Sequence, residues 1–268
     1  MIDFLTRLDA TTATRGRLCV GIDPHPASVA AWALDDDIAG LERFSRGLVD
    51  ALGASVACFK PQSAFFEAFG PDGLAVLSRV LADIADAGAI SILDVKRGDI
   101  GSTMAAYARA YLADGAALAA DAITVSPFLG FGSLEPAVSL ARQTGRGLFA
   151  LTRTSNPEGR AVQLAVAPGG ASVAQEVVDA ANASNAAAGV PVVGLVIGAT
   201  LPVLDVNLEG FNGWVLAPGI GAQGGDTAHL RAMFGGVTNR VLPVVARFVS
   251  DAGPSPVSLA QVAQSAIF

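Results

Sequence analysis

Ala89-Ile-Ser-Ile-Leu-Asp-Val-Lys-Arg-Gly-Asp-Ile-Gly-Ser-Thr103 carries the transition that decides the fold of this chain. Its first five residues form an apolar run of the length and composition of a buried strand. A helix-like segment, Ser102 to Ala113, follows directly. Asp94, Lys96 and Asp99 therefore fall at the C-terminal end of a strand, where α/β folds keep their chemistry. On an extended strand Asp94 and Lys96 project the same way, because side-chain direction repeats every two residues. A lysine held beside an aspartate at such a place is a candidate proton donor; the plainer alternative is a solvated salt bridge at a strand end.

The same alternation runs along the whole chain. Eight strand-like runs are read: Leu18–Asp23, Ser55–Lys60, Ala89–Lys96, Ala122–Ser126, Gly147–Thr152, Val192–Gly198, Gly213–Ala217 and Arg240–Ala246. Helix-period segments lie between them, near Ile38–Leu52, Asp72–Ala87, Ser102–Ala113, Gly132–Thr144, Ala171–Ala188, Leu201–Leu208 and Thr227–Phe234, with a last one at Val257–Ile267. Continuous apolar strands separated by helices imply a parallel sheet covered by helices. Eight such units predict an α/β fold of the (β/α)8 barrel type, a TIM barrel, with a doubly wound open sheet as the alternative. Nothing in the composition divides the chain, so residues 1–268 are expected to form one barrel domain. The Pro- and Gly-containing stretch Asn156–Ala174 reads as a long loop on the catalytic face.

Hydrophobic residues make up 52% of the 268, and the mean hydropathy is +0.51, ample for a large core. The net charge is −7, from 24 acidic and 17 basic residues, with no Lys/Arg cluster, which argues against a nucleic-acid partner. The N-terminus Met1-Ile-Asp-Phe-Leu-Thr-Arg-Leu-Asp9 lacks an apolar signal-peptide core, and Val190–Ala199 is too short to span a bilayer, so no membrane association is expected. Cys19 and Cys58 both lie in apolar strand-like runs and read as core fillers. Together these features predict a reduced, cytoplasmic location.

Other chemistry-bearing residues cluster at predicted strand ends. Asp23 ends the first strand and Lys60 the second, on the same face as Asp94 and Lys96, suited to sugar hydroxyls. Singly, each also reads as a turn former or a solvated strand end. The seventh strand runs into Pro218-Gly-Ile-Gly-Ala-Gln-Gly-Gly-Asp226, whose glycines can aim backbone N–H groups at an anion. Barrels often bind phosphate in the loops after strands seven and eight. Gln223 adds an amide donor there, and Arg247, closing the eighth strand, adds a planar guanidinium for a phosphate clamp, or else a snorkelling surface charge. His25 and His229 have no partners at metal-ligand spacing. Asp23, Asp94 and Asp99 carry the carboxylates a Mg²⁺ ion needs, but Lys96 competes for them, so no metal is expected.

The run Asp94-Val-Lys96-Arg-Gly-Asp99-Ile100-Gly-Ser-Thr103 resembles the D-x-K-x-x-D-I-x-x-T signature of the orotidine 5′-phosphate decarboxylase family. The resemblance extends along nearly the whole chain. Lys60-Pro-Gln-Ser-Ala-Phe-Phe-Glu67 and the Arg97-Gly98 pair are similar to a bacterial subgroup. Asp23 matches the family's first-strand aspartate, Lys60 its second-strand lysine, Ser155 in Leu151-Thr-Arg-Thr-Ser-Asn-Pro157 its pyrimidine contact, and Gln223 and Arg247 its phosphate grip. It departs from the pattern at Ala246, where many members have Ser or Gly, and at Ser126, to which no role is assigned.

The resemblance implies decarboxylation of orotidine 5′-phosphate to uridine 5′-phosphate without a cofactor, in pyrimidine biosynthesis. Lys96 would protonate C6, with Asp94 and Asp99 holding it as an ammonium. It also implies a homodimer with shared sites, in which Asp99, Ile100 and Thr103 reach into the partner's site. Two other readings stay open: a metal-dependent phosphosugar aldolase or synthase on a related barrel, and a catalytically silent nucleotide-binding barrel. An imine-forming aldolase is disfavoured, since it needs a neutral lysine and Lys96 has acidic neighbours.

Overall fold

Runs of Val, Ile and Leu, bounded by glycine and aspartate, give eight strands in the computed structural model, which describes residues 2–187, 189–220 and 227–266. They are β1 (Cys19–Ile22), β2 (Cys58–Pro61), β3 (Ile90–Arg97), β4 (Ala122–Val125), β5 (Gly147–Arg153), β6 (Val193–Ile197), β7 (Val215–Pro218) and β8 (Val241–Val245). All are parallel, each pairs with its sequence neighbours, and β8 returns to β1, closing the barrel. The sequence reading placed all eight, and closure removes the open-sheet alternative.

Alternation along the strands sorts two cores. Val20 and Ile22, Leu93 and Val95, Ile123 and Val125, and Leu195 and Ile197 face the surrounding helices. Cys19, Cys58, Ile90, Ile92, Ala122, Phe149, Val196, Leu216, Leu242 and Val244 fill the barrel interior. Cys19 and Cys58 are register partners on β1 and β2, both buried and free, as the sequence suggested. Burial pushes the Cys19 thiol up to about 12, so it is an inert filler.

A helix not read from the sequence, Phe4–Arg15, closes the N-terminal end of the barrel. Asp3 caps it, its carboxylate accepting the Thr6 N–H at 3.0 Å. Phe4 and Leu8 join the interior cluster, with Phe4 edge-on to Phe149 at 6.0 Å. The Trp214 indole donates to Asp9 at 2.9 Å. Gly147 is required beneath this stopper: a Cβ there would lie 2.3 Å from the Phe4 ring. Short helices at Pro26–Ala31, Ser63–Glu67, Arg160–Gln163 and Arg247–Ser250 were also unread.

One expected helix is absent. Leu201–Leu208 has apolar residues at helical spacing but forms bends instead. So short a segment has little helical stability of its own, and Pro202 lies inside it. Its polar groups are engaged elsewhere: Asp205 takes the Arg153 guanidinium, and the Asn207 N–H donates to Gln175 Oε1 at 2.7 Å. Leu201, Val206 and Leu208 are buried without a helix.

Candidate active site

The strand ends opposite the stopper carry the charges. Asp94 is buried and accepts four hydrogen bonds. Oδ2 receives Lys60 Nζ at 2.8 Å and Gln62 Nε2 at 2.9 Å. Oδ1 receives Lys96 Nζ and Thr124 Oγ1, each at 2.7 Å. Lys60 Nζ also lies 3.9 Å from Asp23 Oδ1. The result is a chain of alternating charge, Asp23–Lys60–Asp94–Lys96, built from the ends of β1, β2 and β3.

Burial divides the two ammoniums. The Lys60 side chain is 5% exposed and the Lys96 side chain 46%. Desolvation alone would drive Lys60 towards neutrality, but Asp94 and then Asp23 overcome it, and the net direction is upward. Burial likewise raises the Asp94 carboxyl, yet Lys60 and Lys96 outweigh it and hold the group well below the usual carboxylate range. Lys60 is thus a fixed positive charge in the wall, and Lys96 is the ammonium that reaches the opening.

The aim of Lys96 depends on an irregularity in β3. The β3/β4 register pairs Leu93 with Ile123 and Arg97 with Val125, so Asp94, Val95 and Lys96 stand opposite Thr124 alone. Such a bulge re-aims side chains next to functional sites. Lys96 itself has φ +46°, a left-handed backbone that costs about 1–3 kcal/mol for a non-glycine residue. Gly98 follows because space requires it: a Cβ would sit 2.2 Å from the Ser126 carbonyl oxygen. Arg97 is fixed by donation to Glu67 Oε1 at 2.7 Å and by stacking 5.6 Å over the Tyr107 ring.

A cavity of about 260 Å³ opens above these groups, lined in part by Lys60, Asp94, Lys96, Thr124, Ser155 and Pro218. Ser155 reaches it because residue 198 is glycine; a Cβ there would be 2.9 Å from Ser155 N. The loop is fastened by Arg153, which is 1% exposed and donates to Asp205 Oδ1 at 2.9 Å and to Thr154 O at 2.6 Å. Gln163 Oε1 accepts the Thr154 N–H at 3.0 Å.

The structure thus brings Asp23, Lys60, Asp94, Lys96 and Ser155 to one end of the barrel. Asp99, Ile100 and Thr103 lie at the rim; the Asp99 carboxylate accepts the Ile100 N–H at 2.7 Å and, among the described residues, makes no ion pair with Lys96. Arg247 is exposed just after β8. Gln223 lies outside the described residues. Gln62, Thr124 and Arg153 were not singled out beforehand. Gln62 follows from the two-residue period, since it shares strand parity with Lys60; Thr124 does not, because its place beside Asp94 depends on how β4 is matched against β3. Arg153 had no such signal, because its partner Asp205 lies in the segment misread as a helix.

Fold and site together define a barrel enzyme with its chemistry at the C-terminal ends of the strands. Residues 16–262 match the family model described as "Orotidine 5'-phosphate decarboxylase / HUMPS family", and the chain belongs to that family. It is 52% identical over 260 residues to the orotidine 5′-phosphate decarboxylase of Salinispora arenicola, covering 97% of this chain and 94% of that protein. The corresponding protein of Nocardioides sp. is 54% identical over 253 residues, covering 93% and 92%. Among solved structures, one from Streptomyces avermitilis superposes with a TM-score of 0.94 at 50% identity, covering 100% of this chain and 94% of that one. The OMP decarboxylase of Leishmania donovani superposes with a TM-score of 0.79 at 31% identity, covering 98% and 97%.

Proposed function

We propose that this chain decarboxylates orotidine 5′-phosphate to uridine 5′-phosphate and CO₂ in pyrimidine biosynthesis, without a cofactor. Relatives more than half identical over nearly the whole chain carry that activity in their names. The observation that carries the mechanism is the Lys96 ammonium, held 2.7 Å from a carboxylate that is itself fully bonded. When the bond from C6 to the carboxylate carbon breaks, its electron pair stays on C6. Lys96 Nζ gives a proton to that carbon, and solvent later reprotonates the amine. The positive charge is in place before the carbanion forms, so little reorganisation is needed.

The Asp23 carboxylate, whose Oδ1 faces Lys60 at 3.9 Å while the side chain stays partly exposed, suits a ribose hydroxyl. Ser155 would meet the pyrimidine, and Gln223 and Arg247 the phosphate. Far from the reacting carbon, the phosphate contributes binding energy that lowers the barrier. The metal-dependent reading fits the donor set poorly. Each oxygen of Asp94 already accepts two donors, one of them an ammonium, and an entering cation would have to displace it.

The reading includes a homodimer in which Asp99, Ile100 and Thr103 complete the partner's site. Ile100 is 62% exposed and Phe128 77%, on segments that follow adjacent strands β3 and β4. It also includes a cytoplasmic location; among the described residues no helix is long and apolar enough to cross a membrane.

The test follows the ultraviolet absorbance of orotidine 5′-phosphate with purified protein and a chelator. Substrate loss with uridine 5′-phosphate formed is the expected result, and Lys96→Ala should abolish it while nucleotide binding stays measurable. A folded wild type that binds uridine 5′-phosphate without turnover would remove the decarboxylase reading. Full activity in Lys96→Ala would remove Lys96 from the mechanism.

A further inference from the structure

We infer that the Thr124 hydroxyl is the positioning residue for the Lys96 ammonium. The inference rests on the proposed proton donation by Lys96. In the bulge, Asp94, Val95 and Lys96 face Thr124 alone, so the ordinary ladder cannot satisfy the backbone there. The hydroxyl takes its place. Thr124 Oγ1 accepts the Lys96 N–H at 2.9 Å and donates to Asp94 Oδ1 at 2.7 Å.

One buried hydroxyl therefore holds both ends of the Asp94–Lys96 pair: the backbone of the lysine and the carboxylate that fixes its ammonium. The geometry polarises the hydroxyl in one sense, accepting from an amide and donating to an anion. It also accounts for a left-handed lysine. A residue with φ +46° persists only where its surroundings over-determine it. On one side the Lys96 N–H is tied to Thr124; on the other, the Arg97 carbonyl accepts the Ser126 N–H at 2.8 Å. β4 and the residue that follows it thus hold the backbone on either side of the strained φ. Thr124 is 1% exposed, and its side chain bonds to the two site residues rather than to solvent.

Thr124→Val keeps the shape and removes the hydroxyl; Thr124→Ser keeps the hydroxyl and removes a methyl. Thr124→Val should lower kcat by about 100-fold, the scale of a misplacement near 1 Å. Its dissociation constant for uridine 5′-phosphate should stay within about twofold of wild type, well under the 1.4 kcal/mol of a tenfold change. Thr124→Ser should restore most of kcat. The Lys96 amide should exchange slowly with deuterium in wild type and Thr124→Ser, and faster in Thr124→Val.

Wild-type kcat in Thr124→Val would overturn the inference, as would equal impairment of the serine variant. Loss of nucleotide affinity in step with kcat would make the role merely structural and overturn it too. If wild type turns over no orotidine 5′-phosphate, the decarboxylase reading has failed, and the exchange of the Lys96 amide alone decides. Unchanged protection in Thr124→Val then refutes the positioning role.

Discussion

At the scale of single residues, Asp94 does two jobs with one carboxylate. It neutralises the buried Lys60 and aims the half-exposed Lys96. Asp94→Asn leaves Lys60 in the wall with only the more distant Asp23, and breaking a buried pair from one side costs about 3–5 kcal/mol. The cost depends on pH with a definite sign. The folded-state value for Asp94 is depressed, so its contribution is present above the ordinary carboxylate value and lost as pH falls through the folded one. That for Lys60 is raised, so its contribution is present below the ordinary lysine value and lost as pH rises through the folded one. Chemical denaturation should therefore show a wild-type advantage over Asp94→Asn that is flat between about pH 4 and pH 10 and shrinks outside that window. A pH-independent difference would refute the ionic account. Arg247→Ala should weaken binding of uridine 5′-phosphate and lower turnover, by titration and steady-state kinetics; an unchanged affinity would undo the phosphate assignment.

At the scale of elements, the chemistry and the stability are placed at opposite ends of the same strands. Phe4 and Leu8 enter the barrel from below, and Asp94 and Lys96 leave β3 above. Phe4→Ala empties a fully buried ring and should cost about 3–5 kcal/mol. Turnover per folded molecule should stay unchanged, measured at a temperature where both proteins are folded; a fall in kcat would show that the floor is coupled to the site. The strands were legible because an apolar run buried on both faces looks the same in sequence and structure. The Phe4–Arg15 helix was not, since its Thr- and Ala-rich body gives a faint stripe and only the Asp3 cap marks its start. Leu201–Leu208 misled in the opposite sense: its apolar spacing is helical, and the bond that decides its path comes from Arg153, far away in sequence.

At the scale of the whole molecule, Asp23, Lys60, Asp94 and Lys96, four of the charged residues named from the sequence, came together because strand parity and strand ends are local properties that closure converts into proximity. The bulge was illegible, since it depends on β3 being matched against β4. Completion of the site by a second copy is testable by mixing. Lys96→Ala and Asp99→Ala should each be inactive alone. Refolded together, they should recover about a quarter of wild-type activity, because half the dimers are hybrids with one intact site of two. Recovery of nothing, with hybrids confirmed by mass spectrometry, would show that each copy builds its site from its own residues.

The helix beneath the barrel has one more effect. With Phe4, Leu8, Phe149 and Trp214 closing the floor, the cavity above Asp94 and Lys96 opens, among the described residues, on the side of the strand ends. On the proposed mechanism, nucleotide coming in, gas going out and the water that recharges the amine all pass that mouth. On that account a change at the rim should alter turnover while every group that performs the bond breaking stays in place.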